Sequence, residues 1–468
     1  MAFPATGLNP DKIKHIFYSS LRILEEVGIG CSHMKTVDAL TQKGRIQYKN
    51  GRIHFNKDAV EECFQQTVKP FSTSDNADVE TEFQLGGQWQ ALELCDPLTN
   101  GPRLATYDEA VQMSKLAEAL GEVVSPIPVA PSGFNPRMNT LVSEKIALIH
   151  TRKRGGSLTA TDREEINIIS QMYQAAGRKY RLSLNGLISP LKLSSEIMET
   201  YFNHCDDENI NTVLSGPMAL AGATAPLVFP ANISFTLAET LGLNYVAYTL
   251  SDGKRSSPFY RFEPFDFKSG NVMVGAPAWC LFRLAIKEFW EGLTGQKILG
   301  GAFRTNSRIA DAQAIMECTA SVVWQALLGA RIFGGVGIMA IDEVFSPVLA
   351  ILDREILNYA RDLCKGYAKT GWDEETDILT LAKEGVEAGG FLGHETTVSH
   401  FRDMFDFDVL SSYAKLNTWR NAGSVTMEAL AWQKAQSVIE SHDFTLDVEK
   451  RRDVEKLYDF GVKYLENL

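Results

Sequence analysis

Residues Lys297–Ser346 read KILGGAFRTNSRIADAQAIMECTASVVWQALLGARIFGGVGIMAIDEVFS. The segment begins with a short apolar run, and the polar residues Arg304–Ser307 that follow are typical of the start of a helix. Apolar residues at helical spacing then extend from Ile309 to Leu328, before a glycine-rich apolar run and an acidic loop. This order predicts a strand, a helix and a second strand, which is the unit that builds parallel sheets.

The same alternation of strand and helix patterns continues through the middle of the chain. Predicted strands begin near Val123, Gly156, Tyr180, Asn211, Pro258, Lys297 and Arg331, and the region around Trp89 supplies an eighth. Eight strands alternating with helices predict an α/β fold, a (β/α)8 TIM barrel, whose reactive residues lie at the C-terminal ends of its strands. An open doubly wound sheet is the alternative, although no GxGxxG follows an early strand.

We divide the chain into three parts. Residues 1–82 are predicted to form an N-terminal helical and hairpin extension, in which Asn9–Val27 is an amphipathic helix. The hairpin of this extension turns at Asn50-Gly51, a dipeptide typical of a two-residue β-turn. Residues 83–372 are predicted to form the barrel, and residues 373–468 a helical region packed on it.

Helix starts within the barrel region are marked by capping patterns. Thr106 with Glu109, and Thr161 with Glu164, each have the spacing of a capping box and predict two helix N-termini. A further helix is predicted over Pro226–Leu241, where Pro230 is expected to distort or delay the start.

The composition restricts the class of partner. The chain has 468 residues, with 58 acidic against 46 basic side chains and a formal charge of −12, so nucleic acid and anionic membranes are not expected as main partners. There is no signal-peptide pattern and no apolar run of roughly 20 residues, and a soluble cytoplasmic protein is expected. The seven cysteines form no CxxC pair, and neither disulfides nor a zinc site are predicted.

Aromatic and acidic residues cluster where the sixth predicted strand should end. Tyr260, Phe262 and Phe265 surround Glu263, and rings with a few carboxylates are what binds a quaternary ammonium that cannot donate hydrogen bonds. The same rings could instead be ordinary core packing. Trp89 and Asp96 reach the same rim if the first predicted strand precedes them.

Three further residues follow strands or lie in tight loops. Arg304 could form a bidentate pair with a substrate carboxylate, or an internal pair with an acid such as Asp311. Asp342 could orient a ligand or be a solvated loop residue, and His394, beside Gly393, could be catalytic or structural. A Schiff-base enzyme is disfavoured because Lys297 begins its strand, while an acid–base barrel lyase stays open as an alternative.

Four motifs taken together resemble a known family. They are SGPMALAGATAP at residues 215–226, GGAFRTNSRIADAQAIMECTAS at 300–321, ALLGARIFGGVGIMAIDEVFSPVLAILDREIL at 326–357 and GGFLGHETTVSHFRDMF at 389–405. With the opening ILEEVGI at residues 23–29, they are similar to the trimethylamine methyltransferase family, in matching order over nearly the full chain.

The resemblance implies a (β/α)8 barrel that passes a methyl group from a methylated amine to the cobalt of a separate corrinoid protein. Only standard residues occur at Gly334–Phe345, where the archaeal trimethylamine enzymes carry pyrrolysine. This difference points to the pyrrolysine-free branch and to quaternary amines such as glycine betaine, proline betaine, carnitine or γ-butyrobetaine.

The expected activity is therefore demethylation of a betaine, with cobalamin carried by a cognate corrinoid protein, no tightly bound metal and a homo-oligomeric assembly. Catalytic roles would fall to His394, Glu263 and Asp342. Substrate binding would fall to Tyr260, Phe262, Phe265, Arg304, Asp96 and Trp89. The alternatives are a betaine-binding barrel without turnover and a trimethylamine-type methyltransferase that lacks pyrrolysine.

Overall fold

The structure is a computed structural model that describes residues 6–68, 82–86, 90–121, 127–152, 160, 162–255, 261–365, 377–404 and 410–467. Helices dominate these residues. In chain order they are α1 Pro10–Arg22, α2 Met34–Lys43, α3 Lys57–Thr67, α4 Tyr107–Leu120, α5 Asn139–His150, α6 Arg163–Ala175, α7 Ser195–His204, α8 Phe229–Leu250, α9 Pro277–Thr294, α10 Ala312–Leu327, α11 Pro347–Lys365, α12 Ile378–Glu387, α13 Glu395–Met404, α14 Leu416–Asn421, α15 Met427–Glu440 and α16 Val448–Glu466.

The strands are short. They are β1 Ile29–Gly30, β2 Ile46–Lys49, β3 Arg52–Phe55, β4 Gln84–Leu85, β5 Glu93–Cys95, β6 Pro102–Arg103, β7 Tyr180–Asn185, β8 Leu187–Ile188, β9 Lys192–Leu193, β10 Ile210–Ser215, β11 Ala219–Ala221, β12 Phe262–Asp266, β13 Asn271–Val272, β14 Gly300–Ala302, β15 Ile332–Gly334, β16 Ile338–Met339 and β17 Val344–Phe345. A π-helical turn, Ile23–Val27, extends α1, and a 3-10 turn, Pro136–Met138, precedes α5.

Parallel pairing recurs along the chain, as the sequence predicts. β7 and β10 are parallel over six residue pairs, from Tyr180 opposite Ile210 to Asn185 opposite Ser215. β11 pairs in parallel with β12, β14 with β15, and β15 with β4. The result is a mixed α/β protein in which strands alternate with helices.

A closed (β/α)8 barrel is not found among the described residues, where the strands fall into five separate sheets. The predicted strands at Val123 and Gly156 begin within residues 122–126 and 153–159, outside the described residues. At β14 a side chain is hydrogen-bonded to the outer edge of the sheet. The Gln325 amide donates to the Ala302 carbonyl and accepts from the Ala302 N–H, so a side chain occupies the edge that a further strand would use.

The N-terminal predictions are confirmed. Asn9 caps α1 through its side chain, and β2 and β3 form the antiparallel hairpin. Its turn residues Asn50 and Gly51 have φ of 52° and 74°, the left-handed pair that a type I′ turn requires. Thr106 and Glu109 form a complete capping box on α4.

One predicted helix start is corrected, and a second helix begins later than Pro226, a delay that Pro230 predicts. The N-cap of α6 is Asp162, whose carboxylate accepts from the Glu165 N–H, while Thr161 lies outside the described residues. α8 begins at Phe229 and continues to Leu250, beyond the predicted Leu241. Pro230 thereby falls in the first turn, where its missing N–H costs no helical hydrogen bond.

The two C-terminal helices α15 and α16 pack against different helices of the preceding part of the chain. α16 lies on α5 and α6, and α15 lies on α4 and α11. A Cβ added at Gly461 of α16 would stand 2.8 Å from Leu141 of α5 and 3.1 Å from Ile168 of α6, so the helices approach closely there. The three-part division of the chain stays a prediction.

Candidate active site

A cavity of about 280 Å³ opens between β12 and β14. Helix α9 lies over it and the C-terminal end of α10 closes one side. Its charged lining residues are Arg261, Glu263, Arg283, Lys287 and Arg304, and Trp279 supplies the aromatic surface. Among the described residues, the cavity therefore combines several positive charges with one lining carboxylate.

Glu263 is the anionic centre of this cavity, and only 3% of it is exposed. Arg283 of α9 donates to its carboxylate at 2.7 Å and to the Phe262 carbonyl at 2.9 Å, which ties the helix to the strand. Arg261 approaches the other carboxylate oxygen at 3.7 Å. The Arg283 guanidinium also lies 4.9 Å from the ring centroid of Trp279, in cation–π geometry.

Arg304 is the second residue after β14 and lines the same cavity. Only 7% of it is exposed. Burial lowers the pKa of Arg304, and the charge of Glu263 opposes that change. Arg261 lowers the pKa of Arg304 further, whereas Asp342 raises it. A guanidinium stays protonated under these influences because its intrinsic pKa is so high.

The loop that carries Arg304 is held from α10. Glu317 accepts hydrogen bonds from the Thr305 hydroxyl at 2.6 Å and from the Asn306 N–H at 2.9 Å. The Asn306 side chain in turn donates to the Val272 carbonyl at 3.0 Å and accepts from the Val274 N–H at 2.7 Å. The loop therefore links α10 to the segment after β12, with Arg304 between them.

A second loop, which follows β16, closes onto the first. The Ala340 N–H donates to the Ser307 carbonyl at 2.7 Å, and the Ile341 N–H donates to the Thr305 carbonyl at 3.1 Å. Ala340 and Ile341 have φ of 49° and 72°, a strained conformation for a β-branched residue. These contacts hold the loop beside Arg304 and bring Asp342 within electrostatic reach of Arg261 and Arg304.

A buried acid on α11 supports the start of this region. Asp353 is fully buried and accepts from the Gly337 N–H at 2.7 Å. Burial raises the pKa of Asp353 to about 8, although the hydrogen bonds with the Gly337 N–H and with Cys318 each lower it. Gly337 has φ of 72°, and a Cβ there would meet Phe345 and Ala350 within 3 Å. Glycine is favoured at this position because it adopts a positive φ without strain and has no Cβ to collide with these neighbours.

The predicted aromatic residues occupy different positions. Phe262 is fully buried in the core, with its ring centroid 5.0 Å from Phe282 and 6.5 Å from Phe229. Phe265 packs edge-on against Phe267 at 5.4 Å. Phe262 and Phe265 are not among the described residues that line the cavity. Tyr260 and Trp89 lie outside the described residues, so their roles stay predictions.

Asp96 and His394 make local contacts. The Asp96 carboxylate accepts from the backbone N–H groups of Leu98 and Thr99 and pairs with Arg103 at 2.8 Å. The hydrogen bonds from Thr99 and Arg103 lower the pKa of Asp96 to about 2. His394 lies between α12 and α13, where its ring contacts Thr396 at 2.9 Å and Glu384 at 3.2 Å. Neither residue is among the described residues that line the cavity, and their predicted roles stay predictions.

Sequence reasoning missed Arg261, Arg283 and Trp279. Trp279 and Arg283 are four residues apart, so helical spacing puts them on one face of α9, and that face could have been read as facing a strand. The sequence does not show which strand this face of α9 covers, because that depends on tertiary packing. Among the described residues, no group of three or more His, Cys, Asp or Glu side chains lies together as metal ligands do.

No helix among the described residues combines the length and apolarity needed to cross a membrane. The fold and the cavity together describe an α/β protein with a buried, arginine-rich cavity. Residues 3–461 match the family described as trimethylamine methyltransferase (MTTB). The match covers nearly the whole chain, and the protein belongs to this family of methyltransferases, as the resemblance in its sequence predicts.

Individual relatives are distant. A trimethylamine methyltransferase MttB of Desulfitobacterium hafniense (strain DSM 10664 / DCB-2) is 20% identical over 455 residues, which are 94% of this chain and 90% of that protein. A glycine betaine methyltransferase of Desulfitobacterium hafniense (strain Y51) is 21% identical over 432 residues, 88% of each chain. The crystal structure of the Methanosarcina barkeri monomethylamine methyltransferase (MtmB) superposes with a TM-score of 0.47 at 12% identity, covering 98% of this chain and 87% of that one.

Proposed function

We propose that the protein demethylates a quaternary amine that carries a carboxylate, a betaine, and passes the methyl group to Co(I) of a corrinoid protein. The observation that carries this proposal is the charge of the cavity. Arg261, Arg283 and Arg304 outnumber the single lining carboxylate of Glu263. A cation without an anionic group, such as trimethylammonium, would meet net repulsion there, whereas a zwitterion can satisfy both signs of charge.

In this proposal Arg304 binds the substrate carboxylate, because its planar guanidinium can form two parallel hydrogen bonds with it. Glu263 would attract the ammonium from the opposite side. Asp342 completes the charge balance near the loop after β16. Tyr260 and Trp89 stay in the proposal as further aromatic contacts to the methyl groups, and their contribution can be measured by substitution.

The chemistry requires little of the side chains. The methyl group leaves nitrogen without its bonding electrons, the electron pair of the C–N bond stays on nitrogen, and a neutral tertiary amine is released without a proton. The two-electron nucleophile is the Co(I) of the corrinoid protein, which acts as the methyl-accepting substrate. The residues of this chain hold the substrate, exclude water and aim one methyl group outward.

The test is a transfer assay with purified protein and reduced cobalamin. We expect Co(I) absorbance to fall and a tertiary amine to accumulate, by mass spectrometry, with glycine betaine, proline betaine, carnitine or γ-butyrobetaine. Trimethylamine should give no product. Turnover of trimethylamine alone would contradict the proposal. Calorimetric binding of every betaine with none consumed, even when a corrinoid protein is supplied, would instead favour a binding protein without turnover.

A further inference from the structure

A second cavity, of about 590 Å³, lies at the amino ends of two parallel strands. β7 and β10 begin side by side there, with Tyr180 opposite Ile210 and Arg181 opposite Asn211. The ligands of open α/β sheets bind at the carboxyl ends of the strands as a rule. This cavity has no described lining residue in common with the candidate active site, and it is therefore a separate feature of the molecule.

Cationic side chains dominate the lining of this second cavity. They come from the end of α5, the start of β7 and the end of α8, and they are Arg152, Arg178, Lys179, Arg181 and Arg255. Among the described residues, two acids line it, Asp207 and Glu208. The lining is thus net positive, although the whole chain has a formal charge of −12.

Three of these cations have no carboxylate partner within the described part of the chain. Lys179 and Arg181 form neither an ion pair nor a side-chain hydrogen bond there. The Arg255 guanidinium donates to the Cys205 carbonyl at 2.8 Å, a neutral acceptor that fixes its position without compensating its charge. Like charges that are gathered around one cavity repel each other, and a bound anion would remove that repulsion.

The other two cations are held by the segment that precedes α16. The ring centroid of Phe444 lies 4.8 Å from the Arg152 guanidinium and 6.0 Å from that of Arg178. Arg152 also pairs with Asp443 at 2.8 Å, and Arg178 donates to the Thr151 carbonyl. Both guanidiniums are therefore fixed before any ligand binds, which lowers the entropy cost of binding.

We propose that this cavity binds a small molecule with two or more phosphate groups. Cations on separate segments can each contact different oxygens of such an anion, whereas a single carboxylate offers too few oxygens to reach them all. The volume of the cavity falls within the range of about 300–1,000 Å³ that is typical of ligand sites. The bound anion would connect the segments around α5, β7 and α8 and would stabilise the folded protein. This inference does not rest on the proposed methyl transfer.

The experiment titrates the full chain with tripolyphosphate in a calorimeter, at constant ionic strength and without amine, metal or cobalamin. Wild-type protein should bind one equivalent, with a Kd that rises as salt is added. The double variant Lys179→Ala/Arg181→Ala should raise Kd at least about tenfold. Lys415→Ala/Arg420→Ala is the matched control, because it removes the same charges from exposed positions that do not line the cavity, and it should leave Kd unchanged.

A third charge on another segment gives an independent test. Arg255→Gln removes that charge while keeping a donor for the Cys205 carbonyl, and it should also raise Kd. All variants should keep the urea midpoint of wild type, so that a loss of binding is not a loss of folding.

Three results would overturn the proposal. The first is wild-type protein that gives no saturable heat at millimolar tripolyphosphate. The second is a wild-type Kd in both the Lys179→Ala/Arg181→Ala and the Arg255→Gln variants, which would place the anion elsewhere. The third is equally tight binding of citrate, since the ligand would then be a polycarboxylate and not a phosphate compound.

Discussion

At the level of single residues, the candidate site depends on contacts between segments that are distant in sequence. Arg304 was foreseeable because it directly follows a predicted strand, and it does line the cavity. Arg283 could not be assigned in the same way, because its partner Glu263 lies 20 positions earlier on another element. Phe262 differs from its neighbours Arg261 and Glu263, which line the cavity. Residues alternate sides along a strand, and Phe262 packs against Phe282 and Phe229 instead, so its predicted role in binding stays a prediction.

Arg304→Lys tests the proposed carboxylate contact. An ammonium keeps the charge but loses the two-point geometry, so KM for the accepted betaine should rise about tenfold or more, which corresponds to roughly 1.5–3 kcal/mol for a charged hydrogen bond. The effect on kcat should be smaller. Arg308→Lys, an exposed position in the same segment, is the control and should change neither constant. Equal KM values for the two variants would remove Arg304 from substrate binding.

At the level of elements, α10 determines where the Arg304 loop lies. One carboxylate, Glu317, holds both Thr305 and Asn306, and that loop in turn holds the loop of Ala340 and Ile341. Sequence patterns predicted this strand, helix and strand in the correct order. They could not predict the contacts between the two loops, because hydrogen bonds between irregular segments have no periodic signature.

Glu317→Ala should disturb both loops while the helix stays folded. Two donors lose their acceptor, at a cost of about 1–3 kcal/mol, and kcat/KM should fall by tenfold or more with most of the change in KM. Gln313→Ala is the control, because Gln313 donates to the other oxygen of Glu317 and holds neither loop. Glu317→Gln keeps an acceptor and should rescue much of the activity. If Glu317→Ala matches wild type, α10 does not position the site.

The docking of α16 is a second prediction for the elements. Gly461→Ala adds a methyl group where Leu141 and Ile168 already approach within about 3 Å, and overpacking of this kind costs about 1–3 kcal/mol. The midpoint of urea unfolding should fall accordingly. Lys463→Ala on the exposed side of α16 should leave it nearly unchanged. A more stable Gly461→Ala protein would show that the interface can relax around the added group.

For the molecule as a whole, the sequence predicted a chain of alternating strands and helices, with a closed barrel as the first interpretation and an open doubly wound sheet as the alternative. The closed ring was inferred by counting strands, and a count cannot show whether neighbouring strands are hydrogen-bonded. The family assignment was more robust, because it depended on motifs spread over the chain rather than on barrel closure. The sequence also did not predict which acidic side chains would be buried. Several of them lie in the interior, and their spacing along the chain assigns no lysine or arginine partner to them.

The stability of the folded protein should decrease as the pH rises, because several buried acids have raised pKa values. Burial raises the pKa of Glu144, Glu165 and Glu239 to about 7 and that of Asp353 to about 8. Unfolded carboxyls titrate near pH 4, so between about pH 4 and 8 the native state binds more protons and stability falls as pH rises. Burial lowers the pKa of His150 to about 4, which opposes this trend only below about pH 6.5.

The effect of the buried acids on stability is best measured between about pH 6.5 and 8.5, where His150 does not oppose it. The melting temperature should fall by a few degrees across this range, which differential scanning calorimetry can follow. Asp353→Asn carries no titrating group at that position and should show a shallower fall. A melting temperature that rises with pH in this window would mean that the buried acids are ionised in the native protein.

The hydrogen bonds of Gln325 have a consequence for the wall of the cavity, which both Gln325 and Ala302 line. One side-chain amide accepts from the Ala302 N–H and donates to the Ala302 carbonyl, so both of these backbone groups of β14 already have a partner. Among the described residues, the cavity is therefore bordered at this edge by a hydrogen-bonded side chain and not by another strand. A substitution at Gln325 should thus alter the wall of the cavity as well as the edge of the sheet.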